Sequence, residues 1–319
     1  FKQKTAYEIM PSLVGSEMCI SDRVNPTGKA GDQIPTIGSI LRKCEEYFRS
    51  KGCESPRLDA ELLLGYVLGC PRIKLYVDWR RQLGEEELSH MRKLAARHAR
   101  GEPVAYLTGV REFWSMPFVV DRRVLIPRPE TEHVVEAVLQ IVAHEGFAQP
   151  LIADIGTGCG NIACALAKSL PTAKILATDI SREALQVAEE NVRRFGLSER
   201  IEFAQGDLIE PLRNREKFNV VVSNPPYVAA EQWNSLPPSV RDYEPKVALF
   251  DQSPDGLGTI KRLLEDSPEV LKRPGYVVLE LGAGQGPRAF RLAREKGYEE
   301  VKLEKDLAGH QRVLICKLK

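Results

Sequence analysis

The chain has 319 residues, 43% of them hydrophobic and 28% charged, enough to bury one large core and a second smaller one. Its 45 Lys and Arg nearly cancel its 44 Asp and Glu, so no global field draws it to nucleic acid or an anionic membrane, and a polyanionic partner would need a local patch. Seven scattered cysteines form no C-x-x-C pair or Cys/His group with zinc-ligand spacing, and no apolar run reaches the roughly 20 residues of a membrane span, so a cytoplasmic protein with no membrane contact and no structural metal is expected.

The first 23 residues, FKQKTAYEIMPSLVGSEMCISDR, carry no helical or strand period. Pro11 breaks their longest apolar stretch, and Glu8, Glu17 and Asp22 argue against a transit peptide. The stretch resembles translated sequencing adapter. Residues 1–34 are therefore expected to be a non-native or poorly ordered leader outside the fold.

Residues 35–109 read as a small all-helical domain. Ile37, Ile40, Leu41, Cys44, Tyr47 and Phe48 recur on one helix face, and Gly52 ends that helix. Ser55-Pro56 opens a second helix that ends near Gly69, and Pro71 and the run Gly84-Glu85-Glu86-Glu87 open two more. His90 and His98 lie on a charged helix and read as solvated. Between Val110 and Ile126 the period changes to that of a strand pair, giving a β-hairpin linker over 110–127.

From 128 to 319 a helix reaching about His144 is followed by alternating strands and helices. The strands are LIADI, KILATD, IEFAQ, FNVVVS and YVVLEL, and the helices lie near 160–170, 181–195, 256–272 and 285–296. Such alternation gives a parallel sheet with helices on both faces. EEVKLE and RVLICKL, joined through Ala308-Gly309-His310, form a closing hairpin that makes the last strand antiparallel. The predicted fold class is α/β, a Rossmann-like, mostly parallel seven-stranded sheet.

In such sheets ligands bind beyond the carboxyl ends of strands where the strand order reverses. The turn after LIADI reads Asp154-Ile155-Gly156-Thr157-Gly158-Cys159-Gly160. Its glycines permit a tight bend and close backbone approach, and Asp179, ending the next strand, offers a carboxylate to ribose hydroxyls. The same features suit a nicotinamide dehydrogenase. Two details favour S-adenosylmethionine instead: Asn161 stands where a dinucleotide fingerprint has its last glycine, and Asp154 would repel a pyrophosphate but suits an ammonium and a sulfonium. A second cluster, Gly282-Ala283-Gly284-Gln285-Gly286, comes too late to open another half-sheet. It reads as a strand-to-helix turn, with Glu280 beside it structural.

FNVVVS runs into Asn224-Pro225-Pro226-Tyr227. Two prolines stiffen this corner and remove two N–H donors, leaving carbonyls free to accept from something else. The Asn224 side-chain oxygen and the Pro225 carbonyl together match the two N–H bonds of a planar NH₂ group. Such a nitrogen is a poor nucleophile, and gripping both hydrogens aims it at an electrophilic methyl and stabilises its developing positive charge. Tyr227 would pack on the flat group. No dedicated general base stands out. FNVVVS counts as the strand placed beside LIADI in a doubly wound order, so both motifs share one crevice.

With these motifs the chain resembles the HemK/PrmC family of protein-(glutamine-N5) methyltransferases from about residue 36 to the end. The resemblance rests on Asp154-Ile-Gly-Thr-Gly, Ala177-Thr-Asp-Ile, Ser223-Asn-Pro-Pro-Tyr and Leu125-Ile-Pro-Arg-Pro-Glu-Thr-Glu132, with Tyr243-Glu-Pro-Lys-Val-Ala-Leu249 and Asp255-Gly-Leu257 as later signatures. It implies that Asp154, Ile155, Gly156, Thr157, Gly158, Asp179, Asp207, Leu208 and Asn224 contact S-adenosylmethionine, which leaves as S-adenosylhomocysteine. Leu208 stands where some relatives carry a larger aromatic. Asn224, Pro225, Pro226 and Tyr227 would hold the glutamine of the Gly-Gly-Gln motif in class I peptide chain release factors, with Arg128, Glu130 and Glu132 near the site. Glu130 and Glu132 also fit a plain role in capping the following helix.

The resemblance implies a monomer that acts on a protein without direct contact to nucleic acid. An alternative is a nucleic-acid N6-adenine or N2-guanine methyltransferase, since exocyclic amines pose the same geometric problem. The near-neutral charge, with Glu231, Asp242 and Glu244 around the loop from Trp233 to Leu249, offers that alternative little support. A non-catalytic module on the same fold would not need the intact set Asp154, Asp179 and Asn224.

Overall fold

In a computed structural model the described residues are 34–319, so the expectation for the leader lies outside them except at Ile34. The chain divides into two compact units at Thr108/Gly109.

The first unit contains helices α1 (Ile37–Ser50), α2 (Pro56–Val67), α3 (Arg72–Val77), α4 (Glu85–His98) and a short α5 (Val104–Thr108). α1 opens on a capping box in which Thr36 N–H donates to Ser39 Oγ and Ser39 N–H to Thr36 Oγ1, at 2.9 and 3.3 Å. Its buried stripe, Ile37, Leu41, Cys44 and Phe48, joins Leu63, Leu64 and Met91 in one apolar core. Under that core Glu61 is 1% exposed. Arg57 and Arg72 donate to its two oxygens at 2.6 and 2.5 Å, and the Tyr76 hydroxyl also donates to it. Burial alone would raise the carboxyl, but these three donors hold it below its ordinary value, so the charge stays buried as an ion.

His98 departs from the expectation of a solvated side chain. Its ring nitrogens face the Glu102 carbonyl at 2.9 Å and Asp59 Oδ2 at 3.1 Å, and its edge meets Phe48. Two acceptors require two donors, which only the imidazolium provides. Charge periodicity placed α4 on the surface; the unforeseen step was Asp59 reaching across from α2.

The second unit begins with a hairpin, β1 (Val110–Phe113) and β2 (Met116–Val119), shorter than the expected span to Ile126. Trp114 and Ser115 turn it with φ of 51° and 56°, a left-handed pair normally left to glycine and asparagine. Glu132 Oε1 accepts from Trp114 N–H at 2.7 Å, so Glu132 clamps this turn and does not cap the helix it begins. A 3₁₀ turn, Pro129–Thr131, leads into α6 (Glu132–Glu145).

The rest alternates β3 (Leu151–Ile155), α7 (Asn161–Ser169), β4 (Lys174–Asp179), α8 (Arg182–Arg194), β5 (Ile201–Gln205) and β6 (Phe218–Ser223). Short helices α9 (Pro238–Arg241) and α10 (Lys246–Leu249) precede α11 (Gly258–Asp266), β7 (Leu271–Glu280), α12 (Gly286–Glu295), β8 (Glu300–Lys305) and β9 (Gln311–Leu318). The seven strands run β5-β4-β3-β6-β7-β9-β8, parallel except for β9, which is antiparallel to both neighbours. This is the expected Rossmann-like sheet. Every residue of β6 is buried, so both sheet faces are covered.

The helix expected to reach 272 stops at Asp266, and β7 starts at Leu271. Pro268 has no N–H to offer the Leu264 carbonyl, and the Tyr298 hydroxyl takes that acceptor at 3.0 Å. Among the described residues no helix is long and apolar enough to cross a membrane.

The His98 pair predicts a pH dependence of the first unit. Burial pulls the imidazolium down, but Asp59 and the Glu102 carbonyl outweigh it and raise the group above its ordinary value. The pair's stabilisation is therefore complete below about pH 6.5, the unfolded value, and is lost as pH rises through the raised folded value. Urea midpoints of the wild-type chain should fall across that window. The His98→Gln chain should start lower and lack that fall; an unchanged slope would remove His98 as its source.

Candidate active site

Strand order reverses on either side of β3, with β4 to one flank and β6 to the other, so a crevice opens at their carboxyl ends. A cavity of about 490 Å³ lies there, within the roughly 300–1,000 Å³ usual for small-molecule sites. Its wall joins the turn after β3 to the corner after β6.

Gly156, Gly158 and Gly160 adopt φ of 69°, 56° and 80°, so the bend after β3 needs residues without a Cβ. Thr157 N–H donates to the Thr178 carbonyl at 2.8 Å, pinning the turn to β4. Asp154 lies behind it, fully buried. Its Oδ2 accepts from Thr157 Oγ1 at 2.6 Å and Ala163 N–H at 3.2 Å, while its Oδ1 has no partner. Burial raises this carboxyl to about 7 against the pull of those two bonds, with Asp179 adding to the rise. Asp179 accepts from Gly158 N–H at 3.0 Å and Ser181 N–H at 2.9 Å, and burial raises it too.

Ile155, Gly156, Thr157, Gly158, Asp179, Asp207, Leu208, Asn224, Pro226 and Arg128 all line this cavity. Leu208 is held at φ 47°. Asp154, Pro225, Tyr227 and Glu130 are not on the wall. Asp154 and Pro225 are buried behind it, and Tyr227 sits half-buried against the second glycine cluster. The cations on the wall are three arginines, each already paired at 2.6 Å: Arg123 with Asp121, Arg128 with Glu244, and Arg262 with Asp207. Glu244, 6% exposed, also accepts from Ile126 N–H at 3.2 Å and so anchors its loop beside the cavity.

Several contributors were not singled out by their sequence motifs. Gln285 Nε2 donates to the Tyr227 carbonyl at 3.1 Å, and a Cβ on Gly256 would stand 2.2 Å from that same oxygen. A Cβ on Gly282 would stand 2.9 Å from the Tyr227 ring. The late glycine cluster thus cradles the corner besides turning the strand. Asn191, buried on α8, accepts from Val119 N–H at 2.7 Å and donates to the carbonyls of Val119 and Cys159 at 3.0 and 2.9 Å, joining hairpin to glycine turn. Thr131 and Glu280 stand behind Asn224. Sequence patterns place these residues in turns, signatures or core positions, and only long-range pairing reveals what they hold.

In the first unit Cys53, Asp59 and His98 bring one ligand atom each within 4.8 Å of one another, a grouping that spacing along the chain did not indicate. Both nitrogens of His98 are engaged with oxygens there.

Residues 39–109 match the family model of the PrmC N-terminal domain and residues 135–236 that of the methyltransferase small domain. A release factor glutamine methyltransferase of Rhodopirellula baltica is 45% identical over 282 residues, covering 88% of this chain and 95% of the relative. The chain belongs to the release factor glutamine methyltransferase family. A member from Geobacter sulfurreducens is 38% identical over 88% of this chain and 96% of its own length. In fold alone the methyltransferase is also similar to the catalytic domain of hMettl16 bound to the MAT2A 3′UTR hairpin 1, with a TM-score of 0.54 at 20% identity over 70% of this chain and 80% of that one.

The family signature Asp255-Gly256-Leu257 acquires a steric meaning from the Tyr227 contact. Gly256 sits at φ 70°, and its missing Cβ makes room for a backbone oxygen that cannot retreat. Gly256→Ala should cost about 2–4 kcal/mol from left-handed strain plus overpacking, read as a lower denaturation midpoint, together with reduced methyl transfer. A variant as stable and active as wild type would show that the Tyr227 corner moves freely.

Proposed function

We propose that this protein transfers a methyl group from S-adenosylmethionine to the side-chain amide N5 of the glutamine in the Gly-Gly-Gln motif of class I peptide chain release factors, in the cytoplasm. The observation that carries this is the meeting of two loops in one cavity: Gly156 to Gly158 on one wall and Asn224 and Pro226 on the other.

The residues present fit the cofactor. A buried carboxylate with one unpaired oxygen underlies the glycine turn, and Asp179 stands on the wall as an acceptor. Asp154, at about 7 on its own, would be drawn fully into its ionised form by a cation beside it. When bound, S-adenosylmethionine supplies an electrophilic methyl on a sulfonium. Asp179 would accept from its ribose, the backbone of the glycine turn would lie along its amino-acid end, and Leu208 would pack against its base.

The protein's own part is to make a poor nucleophile react. The Asn224 oxygen, on the wall, and the Pro225 carbonyl, on the buried residue behind it, would accept the two N–H bonds of the glutamine amide and orient its plane. They favour the pyramidal nitrogen in which the lone pair is free, and they stabilise positive charge as the N–C bond forms and the methyl's bond to sulfur breaks to leave a neutral thioether. One N–H proton then leaves to water, so the sequence needs no dedicated base. Tyr227 keeps its phenol neutral, raised to about 12 by burial and by Glu280, and can pack against the flat amide as an apolar surface.

Each of the three wall arginines is already paired with a carboxylate, so the cavity itself offers little free charge to a nucleic-acid strand. Incubation with methyl-labelled S-adenosylmethionine should mark the Gly-Gly-Gln glutamine of a release factor, and label on DNA or RNA in its place would transfer the assignment to an exocyclic amine. Asn224→Ala should lower turnover about 100-fold or more while cofactor affinity stays within a few fold. Undiminished turnover would take Asn224 out of the mechanism.

A further inference from the structure

Behind Asn224 lies a buried relay. Asn224 Nδ2 donates to Thr131 Oγ1 at 3.2 Å, and Thr131 Oγ1 donates to Glu280 Oε2 at 2.5 Å. Thr131 and Glu280 are each 1% exposed, so water does not compete for these bonds. A threonine hydroxyl owns one proton, and an ionised carboxylate can only accept. The hydroxyl proton is therefore committed to Glu280, and the Asn224 atom that faces Thr131 has to be its NH₂. The Asn224 oxygen is thereby left at the other end of the amide.

We propose that Thr131 and Glu280 are positioning residues for methyl transfer: the direction of this hydrogen-bond relay dictates which end of the Asn224 amide meets the substrate. The proposal rests on the reading that the Asn224 oxygen accepts an N–H bond of the glutamine amide. It adds a dependence of that orientation on the charge of Glu280. Once protonated, Glu280 donates to Thr131 in place of accepting. The hydroxyl then turns its own proton toward Asn224, and the amide orientation that presents the oxygen to substrate loses its support.

The surroundings of Glu280 make this change accessible near neutrality. Arg312 on β9, Arg128 and Glu130 before α6, and Tyr227 on the corner face it. Arg312 is held by Asp306 at 3.0 Å and Arg128 by Glu244 at 2.6 Å, so neither pairs with Glu280 and both lower its carboxyl only from a distance. Burial dominates and raises the carboxyl to about 7, against the bond from Thr131.

The test measures kcat, KM and pH profile with a purified release factor and labelled S-adenosylmethionine, and cofactor affinity by calorimetry, for the wild-type enzyme, Thr131→Val, Thr131→Ser and Glu280→Gln. Thr131→Val should lower kcat about 10–100-fold with cofactor affinity within a few fold, since it misplaces a group at the reacting centre. Thr131→Ser, which keeps the hydroxyl, should recover kcat to within about threefold of wild type. Wild-type kcat should fall as pH drops through the neutral range, and Glu280→Gln should lack that limb. Wild-type kcat in Thr131→Val, equal losses in the Val and Ser variants, or an acid limb that persists in Glu280→Gln would each overturn the relay. A wild-type enzyme that labels no release factor would overturn the functional reading itself, and is distinguishable because no variant is needed to see it.

Discussion

The site depends on two parallel strands ending at the same level. Ile155 pairs with Ser223 at the last rung of β3 and β6, and Ser223 Oγ donates to the Ile155 carbonyl at 2.7 Å. A parallel ladder fixes register, so the residues that follow emerge side by side: a glycine turn from one strand and a proline corner from the other. A slip of one residue would exchange the buried faces of β6 and separate the two loops. Both motifs would survive such a slip in sequence and be useless in space.

The wall arginines of the site are each paired with a carboxylate, and two further carboxylates lie buried. Asp154 and Glu280 are buried carboxylates, both raised toward neutrality by desolvation and both held by a threonine hydroxyl. Glu61 in the first unit shows the contrast. It is equally buried, but two guanidiniums and a phenol keep it ionised, which makes it a structural ion with no reserve for titration. The two site carboxylates lack such partners and stay responsive to what binds or protonates beside them.

The sheet, its antiparallel last strand and the lining role of the glycine turn were legible because each writes a local signature: alternating apolar runs, glycines where φ must be positive, prolines after a strand. The hairpin's true length was not, because Val120, Val124 and Ile126 are buried outside any strand, and an apolar alternation looks the same in either case. Glu132 looked like a helix-capping acid and instead holds the Trp114 turn. His98 looked solvated on a charged helix and instead bridges Asp59 and Glu102. The last two misses each involve a polar side chain with a partner distant in sequence, where periodicity carries no information. Gly282 was recognisable as a turn glycine and Gly256 as part of a signature, but the reason for their small size is the Tyr227 backbone and ring, supplied from more than twenty residues away.

That last feature shows how the fold gives precision to a weakly chemical site. Gripping a flat amide calls for accurate placement of acceptors and for no strong acid or base. Asn224 is oriented from behind by Thr131, the Tyr227 carbonyl is fixed by Gln285, and two glycines let neighbouring turns close against the corner. The hairpin is drawn into the same framework, since Asn191 binds Val119 on one side and the Cys159 carbonyl of the glycine turn on the other. These supports come from several elements, so the corner's position is over-determined. A rigid corner can hold a substrate amide away from its preferred planar geometry, because the cost of that distortion is spread over many bonds already made before the substrate arrives.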